Sequence, residues 1–338
     1  MNFSLADDFA TLNPAEWNAL LAESVTDAPF LRHEYLQIWW ETRGGGEWPP
    51  SARLALVAAH RAGRLVGLAP LFFADNRDGR PALLLVGSIE ISDLLDLIVR
   101  PADLPAFAAG LLDFLDSLPF PWQVLDLHNL AESSPSLSAL QTAARRRGWD
   151  ARVAKTYHSP AIPLPGDFEV YLASIDKKQR HEIRRKMRRA EESGQAVRWY
   201  IVSAADSLEA DIEAFLDLMA HDPQKAAFLT PPMRDQIRRV CQAAFAHGWL
   251  QLAFMEVNGQ KAAAYLNFDY NNRIWVYNSG LDRAFLDLSP GWVLLGHLLR
   301  WANENRRAEF DFLRGDEEYK YRFGAVDRFL VRLCLGRK

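Results

Sequence analysis

The chain has 338 residues, of which 49% are hydrophobic and 24% are charged, a composition that is typical of a globular protein and unlike that of a disordered one. Its formal net charge of −4 predicts no general affinity for nucleic acid or for an anionic membrane. The only two cysteines, Cys241 and Cys334, are too few for a disulfide framework or a cysteine-based zinc site.

No targeting or membrane-spanning signal is visible in the sequence. Residues 1–17 lack the basic start and the apolar run of a signal peptide. The most apolar region, residues 81–99, is interrupted by Glu90, Asp93 and Asp96, which a spanning helix would not tolerate without a special reason. We therefore expect a cytoplasmic protein without a membrane span.

The first half of the chain predicts helices and strands in alternation. Asn13 is a plausible N-cap, because Pro14 follows it at the first helical position. Two strands surround residues 61–64 and predict a β-hairpin. The predicted elements are helices at 14–23, 31–42, 105–118 and 136–147, and strands at 54–60, 65–73, 81–88 and 122–128.

The second half repeats the order helix, helix, hairpin, strand, helix, strand. Asn258-Gly259 is the strongest hairpin signal in the chain. Residues 124–127 and 309–312 occupy the same place in the two halves. The predicted elements are helices at 212–219, 232–247 and 289–303, and strands at 250–257, 261–269, 273–279, 309–313 and 329–335.

This repetition predicts an internal duplication of an α/β (α+β) lobe. We expect an N-terminal lobe at residues 1–156 and a C-terminal lobe with the active site at residues 195–338. A connecting segment at residues 157–194 would join them. The alternative is a coincidental likeness between two α/β domains.

A basic helix is predicted at residues 174–193, with Ser174 as N-cap and Gly194 as the C-terminal stop. A thin apolar stripe follows helical spacing at Ile183, Met187 and Ala190. The remaining positions carry eight Lys or Arg residues. They form either a solvated face with ion pairs or a site for an anionic partner such as a phosphate or RNA.

Three further segments are candidate sites. Ser289-Pro290-Gly291 opens a helix and is either a plain cap or an anion-binding helix start. Residues 310–320 end a strand at a glycine and then crowd acids, a tyrosine and a lysine together, which indicates either a charged turn or a substrate site. Asp93 and Asp96 lie in an apolar run and are either a solvated turn or substrate-facing acids.

Several common motifs are absent from the sequence. It contains no GxxxxGK[ST] phosphate loop, no GxGxxG dinucleotide turn, no GxSxG nucleophile elbow and no HExxH zinc helix. The eight histidines show no metal-ligand spacing. We therefore expect no metal.

The segment Tyr171-Leu172-Ala173-Ser174, followed by Lys178, Arg180, Ile183, Arg184 and Arg185, resembles the basic signature of the CelD/BioF2-like acetyltransferases. These belong to the GNAT superfamily and are related to the Fem aminoacyltransferases. The Ser289 helix start, the run from Asp311 to Lys320 and residues 92–96 resemble the same family. The likeness extends over most of the chain and is closest at residues 155–325.

The resemblance implies two tandem GNAT-like lobes, each a mixed, mostly antiparallel sheet flanked by helices. It implies an acyltransferase that moves an acyl group, expected to be acetyl, from acyl-CoA to an amine. The acceptor would be a small molecule, such as an amino sugar or a cell-envelope or polysaccharide precursor. The Arg/Gln-x-x-Gly-x-Gly/Ala run that usually binds the CoA pyrophosphate has no match near residues 282–292.

Two alternatives stay open. One is transfer from aminoacyl-tRNA, as in the Fem branch, with the basic helix binding the tRNA. The other is a non-catalytic protein with a degenerate GNAT fold that binds an anionic ligand or a partner.

The mechanism needs a group that deprotonates the amine and a group that stabilises the oxyanion. Within the acidic run, Glu317 or Asp316 is the predicted base, and Tyr319 would protonate the thiolate. Lys320 would bind the oxyanion or a substrate anion. Asp311 would orient Lys320 or the amine. The predicted binding residues are Ser289, Gly291 and Trp292 for the donor phosphates, Arg180, Arg184 and Arg185 for anionic parts of either substrate, and Asp93 and Asp96 for the substrate.

Overall fold

The computed structural model describes residues 1–337, and the chain divides into two compact units. The first unit combines residues 1–157 with the strand that begins at Phe329, and the second comprises residues 158–328. Residues 158–194, expected to be a connecting segment, therefore belong to the second unit. Within residues 1–337, no helix combines the length and the apolar composition that crossing a bilayer requires.

The strands, in chain order, are β1 (Asn2–Ala6), β2 (Arg53–Arg61), β3 (Arg64–Asp75), β4 (Pro81–Leu85), β5 (Ile98–Val99), β6 (Val124–Ala131), β7 (Asp150–His158), β8 (Ala161–Pro163), β9 (Val197–Ile201), β10 (Leu250–Val257), β11 (Gln260–Tyr270), β12 (Arg273–Leu281), β13 (Glu309–Asp311) and β14 (Phe329–Gly336). The α-helices are α1 (Pro14–Leu21), α2 (His33–Glu41), α3 (Arg43–Gly46), α4 (Leu104–Asp116), α5 (Pro135–Arg146), α6 (Phe168–Ser174), α7 (Lys177–Glu191), α8 (Leu208–Ala220), α9 (Pro223–Phe228), α10 (Pro231–Ala246), α11 (Pro290–Glu304) and α12 (Glu318–Arg322).

The sheet of the first unit has the order β1-β2-β3-β4-β6-β14-β7, and β5 pairs with β3. Strand β4 pairs with β6 in parallel, whereas the pairs β1–β2, β2–β3, β3–β4, β3–β5 and β6–β14 are antiparallel. Helix α1 begins as the sequence predicts, because the Asn13 side chain accepts the N–H of Ala15 at 2.9 Å and Pro14 occupies the first turn. The final strand, β14, was expected in the second lobe, but it pairs with β6 in this sheet.

The sheet of the second unit has the order β8-β13-β12-β11-β10-β9. Its pairs are antiparallel except for β12 with β13. The predicted hairpin is present between β10 and β11, where Asn258 and Gly259 both have positive φ, 52° and 79°, as a tight two-residue turn requires.

The two units repeat one topological feature. In each, two strands joined by a crossover run parallel for only three residue pairs, and the last pair contains an aspartate. These pairs are Leu84 with Asp126 in the first unit and Trp275 with Asp311 in the second. The predicted fold class, two mixed and mostly antiparallel sheets with flanking helices, is confirmed.

The predicted basic helix is two helices, because the chain is extended at Ile175 between α6 and α7. Ser174 is the last residue of α6, so its prediction as the N-cap is wrong. Asp176 caps α7 instead by accepting the N–H groups of Lys178 and Gln179. The predicted apolar stripe is confirmed, since the three residues at 183, 187 and 190 are buried.

Helix α11 covers one face of the second sheet and packs against α7. Gly296 permits this approach, because a Cβ there would lie 2.9 Å from Sδ of Met187. Its N-terminus differs from the prediction. Ser289 adopts a left-handed conformation, with φ 52° and ψ 52°, and its side chain makes no capping hydrogen bond.

Candidate active site

The second sheet opens where β13 leaves β12. Their parallel pairing ends at Trp275 and Asp311, and β12 continues alone on that side from Val276 to Leu281. Tyr277 is an extra residue in β12, since Val276 faces Asn267 and Asn278 faces Leu266. Such a bulge increases the local twist and re-aims side chains. The result is a strand edge, from Val276 to Leu281, that β13 does not cover.

The Asp311 side chain stabilises the turn at residues 311–313, where the chain leaves β13. Its Oδ1 accepts the N–H of Leu313 at 2.8 Å, and Leu313 has a φ of 55°. Its Oδ2 accepts a hydrogen bond from Arg328 at 2.7 Å. Asp311 is buried and does not orient Lys320, whose ammonium is bound by other groups.

Lys320 is 3% exposed and uses its three N–H groups within its own loop. They are donated to the carbonyl oxygens of Arg314 at 2.8 Å and Gly315 at 3.1 Å, and to Oε2 of Glu317 at 2.9 Å. An ammonium has three donors, so none is left for an oxyanion in this arrangement. Lys320 thus fixes the loop and the position of Glu317.

Gly315 makes this arrangement possible. Its φ is 114°, and a Cβ would lie 2.4 Å from Oε2 of Glu317 and 2.9 Å from Nζ of Lys320. Only glycine tolerates both the backbone conformation and the close approach of the charged pair. The strand-ending glycine in the sequence is therefore part of the site.

The Glu317 side chain is 60% exposed. Partial burial opposes its ionisation, but the hydrogen bond and charge of Lys320 outweigh this effect, and the charge of Lys225 adds to them. The pKa of Glu317 consequently lies below its usual value. Its neighbours Asp316 and Glu318 are also exposed, and Glu318 pairs with Arg322 on α12.

Tyr319 is the other reactive group of the loop. Burial raises the pKa of its hydroxyl, and the negative charge of Glu317 raises it further, so the phenol stays protonated at neutral pH. Its ring packs edge-on against Phe312, with 5.9 Å between the centroids. Within residues 1–337, the hydroxyl has no hydrogen-bond partner.

Lys225 is a residue that sequence reasoning missed. It lies on the short helix α9, and its Nζ donates to the carbonyl oxygen of Ser279 on β12 at 2.5 Å. Burial lowers the pKa of its ammonium, whereas the charges of Asp222 and Glu317 act in the opposite direction. No local pattern marks this residue, because a single lysine in a short helix is normally solvated.

The start of α11 is the predicted donor-binding segment. Its first turn includes Pro290, which has no N–H, so Gly291 and Trp292 supply the free N–H groups. The Lys186 ammonium lies 4.1 Å from the centroid of the Trp292 ring. Within residues 1–337, the start of α11 thus has two backbone N–H groups without a partner, and a cation lies over the Trp292 ring.

The three arginines predicted on the basic helix already have partners in the protein. Arg180 donates to the carbonyl oxygen of Ala173 at 3.3 Å, at the end of α6. Arg184 pairs with Glu169, and Arg185 makes two hydrogen bonds to Glu182. These contacts favour the interpretation of the helix as a solvated face with ion pairs.

Asp93 and Asp96 lie in the first unit, whereas the other predicted site residues are in the second. Asp96 is fully buried and accepts hydrogen bonds from Thr26 at 2.6 Å, Ser134 at 2.5 Å and the N–H of Leu97 at 2.7 Å. Burial raises the pKa of its carboxyl group. Asp96 thus holds a loop together, and the binding role of Asp93 and Asp96 stays a prediction.

Comparison with protein-family models gives a match at residues 177–321 to the acetyltransferase (GNAT) domain. The matched range includes α7, the open edge of β12, the start of α11 and the loop of Glu317, Tyr319 and Lys320. No curated protein matches the chain.

Three solved structures have a similar fold. FemX is 12% identical, with a TM-score of 0.66 and coverage of 98% of this chain and 97% of its own. L-PGS from Bacillus licheniformis is 12% identical, with a TM-score of 0.57 and coverage of 96% and 92%. The C-terminal domain of a putative lysylphosphatidylglycerol synthetase from Agrobacterium fabrum is 8% identical, with a TM-score of 0.57 and coverage of 96% and 93%. At these identities, the likeness concerns the fold.

Proposed function

We propose that the chain is an N-acyltransferase that moves an acyl group from acyl-CoA to the amine of a small molecule, a proposal supported by the match of residues 177–321 to the acetyltransferase (GNAT) domain. The acyl group is acetyl, and the acceptor is an amino sugar or another precursor of the cell envelope. The reaction takes place in the cytoplasm, and the two cysteines, both free, fit such a reducing compartment.

The observation that carries this proposal is the pairing of opposite proton-transfer groups in one loop. Glu317 is ionised at neutral pH, while Tyr319, two residues later, is protonated and has no partner within residues 1–337. Acyl transfer to an amine needs a proton acceptor on the amine and a proton donor on the leaving thiolate. The loop supplies both.

The reaction follows from these states. The amine nitrogen attacks the thioester carbonyl carbon, the C–N bond forms, and the nitrogen becomes acidic enough to give its proton to Glu317. The C–S bond then breaks, and the thiolate takes a proton from Tyr319, after which Glu317 releases its proton to solvent and the Tyr319 phenolate takes one up. The products are an amide and a free thiol. Proton transfer from a free amine to Glu317 would cost about 1.4 kcal/mol for each unit by which the pKa of the amine exceeds that of Glu317. The proton therefore moves only after C–N bond formation has made the nitrogen acidic.

Lys320 is a positioning residue in this scheme. It holds Oε2 of Glu317 and two carbonyl oxygens of the same loop, so the carboxylate has a defined position. Because all three N–H groups of Lys320 are already donated, the oxyanion of the reaction must be stabilised by other hydrogen-bond donors. The N–H groups of Gly291 and Trp292 suit the donor phosphates, because a helix N-terminus favours negative charge.

A second candidate function is transfer from aminoacyl-tRNA. The fold similarity to FemX, over 98% of the chain, favours it. The ion pairs of Arg184 and Arg185 on α7 speak against it, since they reduce the charge that these two residues offer to a phosphate backbone. A third candidate is a non-catalytic protein that binds an anionic ligand. The lack of an Arg/Gln-x-x-Gly-x-Gly/Ala run near residues 282–292, which usually binds the CoA pyrophosphate, favours it.

Calorimetry separates the three candidates. The full-length protein is titrated with acetyl-CoA, with longer acyl-CoAs and with aminoacylated tRNA. Binding of an acyl-CoA, followed by thiol release when amines are added, supports the proposed function. Binding of tRNA without acyl-CoA would replace it with the second candidate, and absence of both would favour the third.

A further inference from the structure

A pocket of about 380 Å³ lies in the second unit where β12 ends. Its walls are the end of α8 with the turn into α9, the last residues of β12 (Ser279–Leu281), and the segment 283–286. Lys225 lines this pocket, and its charge also acts on Glu317. Lys225 thus belongs to the wall of the pocket and is close enough to Glu317 for its charge to lower the pKa of that carboxyl group.

Backbone forms one side of the pocket. A Cβ on Gly280 would lie 2.5 Å from the nitrogen of Met219 and 2.6 Å from the carbonyl carbon of Leu218, so β12 and α8 touch directly. Because backbone cannot give way like a flexible side chain, the pocket has a fixed shape at this point. Leucines at 281 and 286 supply apolar surface around it.

The charged groups of the pocket are mostly basic. His221, Lys225 and Arg283 line it together with a single acid, Asp222. Asp222 is engaged as the N-cap of α9, where it accepts the N–H groups of Gln224 and Lys225 at 2.9 and 3.1 Å. His221 lies 3.7 Å from Asp282.

Lys225 and Arg283 have no carboxylate within 4.0 Å anywhere in residues 1–337. Lys225 donates one N–H to Ser279 and keeps two for a ligand. Arg283 makes no hydrogen bond within the same residues and keeps its whole guanidinium fork. Lys225 is half-buried and Arg283 is exposed, and no carboxylate within residues 1–337 pairs directly with either, so an anion that binds both groups gains charge-assisted hydrogen bonds.

We propose that Lys225 and Arg283 bind an anionic group, a carboxylate or a phosphate, of the substrate that occupies this pocket. The proposal rests on the proposed function for the identity of that substrate. It makes the acceptor an amine that also carries an acid, or else it makes the pocket a holder of donor phosphates. In both cases the anion anchors the substrate at a point away from the reacting atoms.

The first test uses inorganic phosphate and acetate as ligands of the full-length protein, followed by calorimetry and by the rise in Tm. The variants are Lys225→Met and Arg283→Gln, and the control is Arg152→Gln, an exposed arginine of the first unit. We expect saturable binding of at least one anion to the wild type and the control, and about tenfold weaker binding to both variants. Equal binding to all four proteins, or no binding to the wild type, overturns the proposal.

The second test identifies the source of the anion and separates this proposal from the proposed function. If the donor supplies it, the two variants bind CoA about tenfold more weakly but bind pantetheine normally. If the acceptor supplies it, CoA binding is unchanged and the KM of the acceptor rises. Phosphate binding that depends on Lys225 in a protein without acyl transfer would keep the anion site and reject the proposed function.

Discussion

The Lys320 ammonium lies 2.9 Å from the Glu317 carboxylate, and Gly315 leaves the space in which the two meet. One partner of this pair is buried and the other is exposed, so the buried cation presents a carboxylate of fixed position to the surface. Because solvent screens the exposed carboxylate, this ion pair adds little to the stability of the protein, and its main effect is to hold the Glu317 carboxylate in place.

Replacement of Lys320 by Ala or Met should reduce acyl transfer more than tenfold. It should also lower the free energy of unfolding by about 1–3 kcal/mol, because two carbonyl oxygens lose a partner. Without the ammonium, the pKa of Glu317 rises, so the acidic limb of the kcat/KM profile should move to higher pH. A pH profile that keeps its shape, or near-normal turnover, would remove Lys320 from this role.

Gly315→Ala should abolish most activity and destabilise the protein by about 1–3 kcal/mol, since alanine is strained at a φ of 114° and its methyl group meets Glu317 and Lys320. The matched control is Gly248→Ala. Gly248 also has a positive φ, 73°, but nothing lies within 4 Å of its Cβ position. Urea unfolding should show destabilisation in both variants, and the activity assay a loss in Gly315→Ala alone.

Tyr319→Phe should lower kcat about 100-fold, the size expected when a general acid is lost. The ring packing against Phe312 is retained, so Tm should change little. Tyr321→Phe is the control, since the Tyr321 hydroxyl lies 3.3 Å from Asp327 at the surface. If both variants turn over alike, the thiolate takes its proton from another donor.

Asp126→Asn should destabilise the first unit by on the order of 3 kcal/mol at pH 7, because it breaks a buried ion pair with Arg332. Burial opposes ionisation of Asp126, but the His128 ring 3.2 Å away and the two hydrogen bonds from Arg332 outweigh it and hold the pKa of Asp126 well below the usual value. The stabilisation is therefore complete above about pH 4 and is lost as the pH falls below it.

Urea titrations at pH 7 and pH 3 check this pH dependence. The difference between the wild type and Asp126→Asn should shrink at pH 3, whereas the exposed Asp75→Asn control should match the wild type at both values. A difference that stays constant with pH would mean that the charge of Asp126 is not what stabilises the unit.

Much of the architecture could be predicted because local signals agreed with the fold. Pro14 after Asn13, and Asn258-Gly259 between two apolar runs, act through a few neighbouring residues and were confirmed. The sequence also predicted that Asp126 and Asp311 occupy equivalent positions in the two halves of the chain. In the structure, each ends a short parallel pairing and binds an arginine, Arg332 or Arg328.

Long-range pairing could not be predicted from such signals. The strand β14 follows the second unit in sequence and pairs with β6 of the first, which no local pattern indicates. Strand β9 was missed because its edge position leaves most of its residues half-exposed, without a clear alternation. Ser174 looked like a cap because the break at Ile175 depends on packing rather than on a Gly or Pro.

The candidate site was predicted in part. The stretch from Asp311 to Lys320 was identified, but its internal roles depend on contacts that spacing does not specify. The sequence did not indicate that Lys320 would point inward and Glu317 outward, nor that Lys225 would reach Ser279. These facts decide which groups are available to a substrate.

The role of Glu317 as proton acceptor is tested most directly by comparing Glu317→Gln with Glu318→Gln in a thiol-release assay. Acetyl-CoA is the donor, and amines that carry a carboxylate or phosphate are the acceptors. The two residues are adjacent and exposed, and they differ in that only Glu317 is bound by Lys320. We predict that Glu317→Gln lowers kcat about 100-fold or more and that Glu318→Gln leaves it unchanged. Equal rates in the wild type and Glu317→Gln would contradict the proposed mechanism.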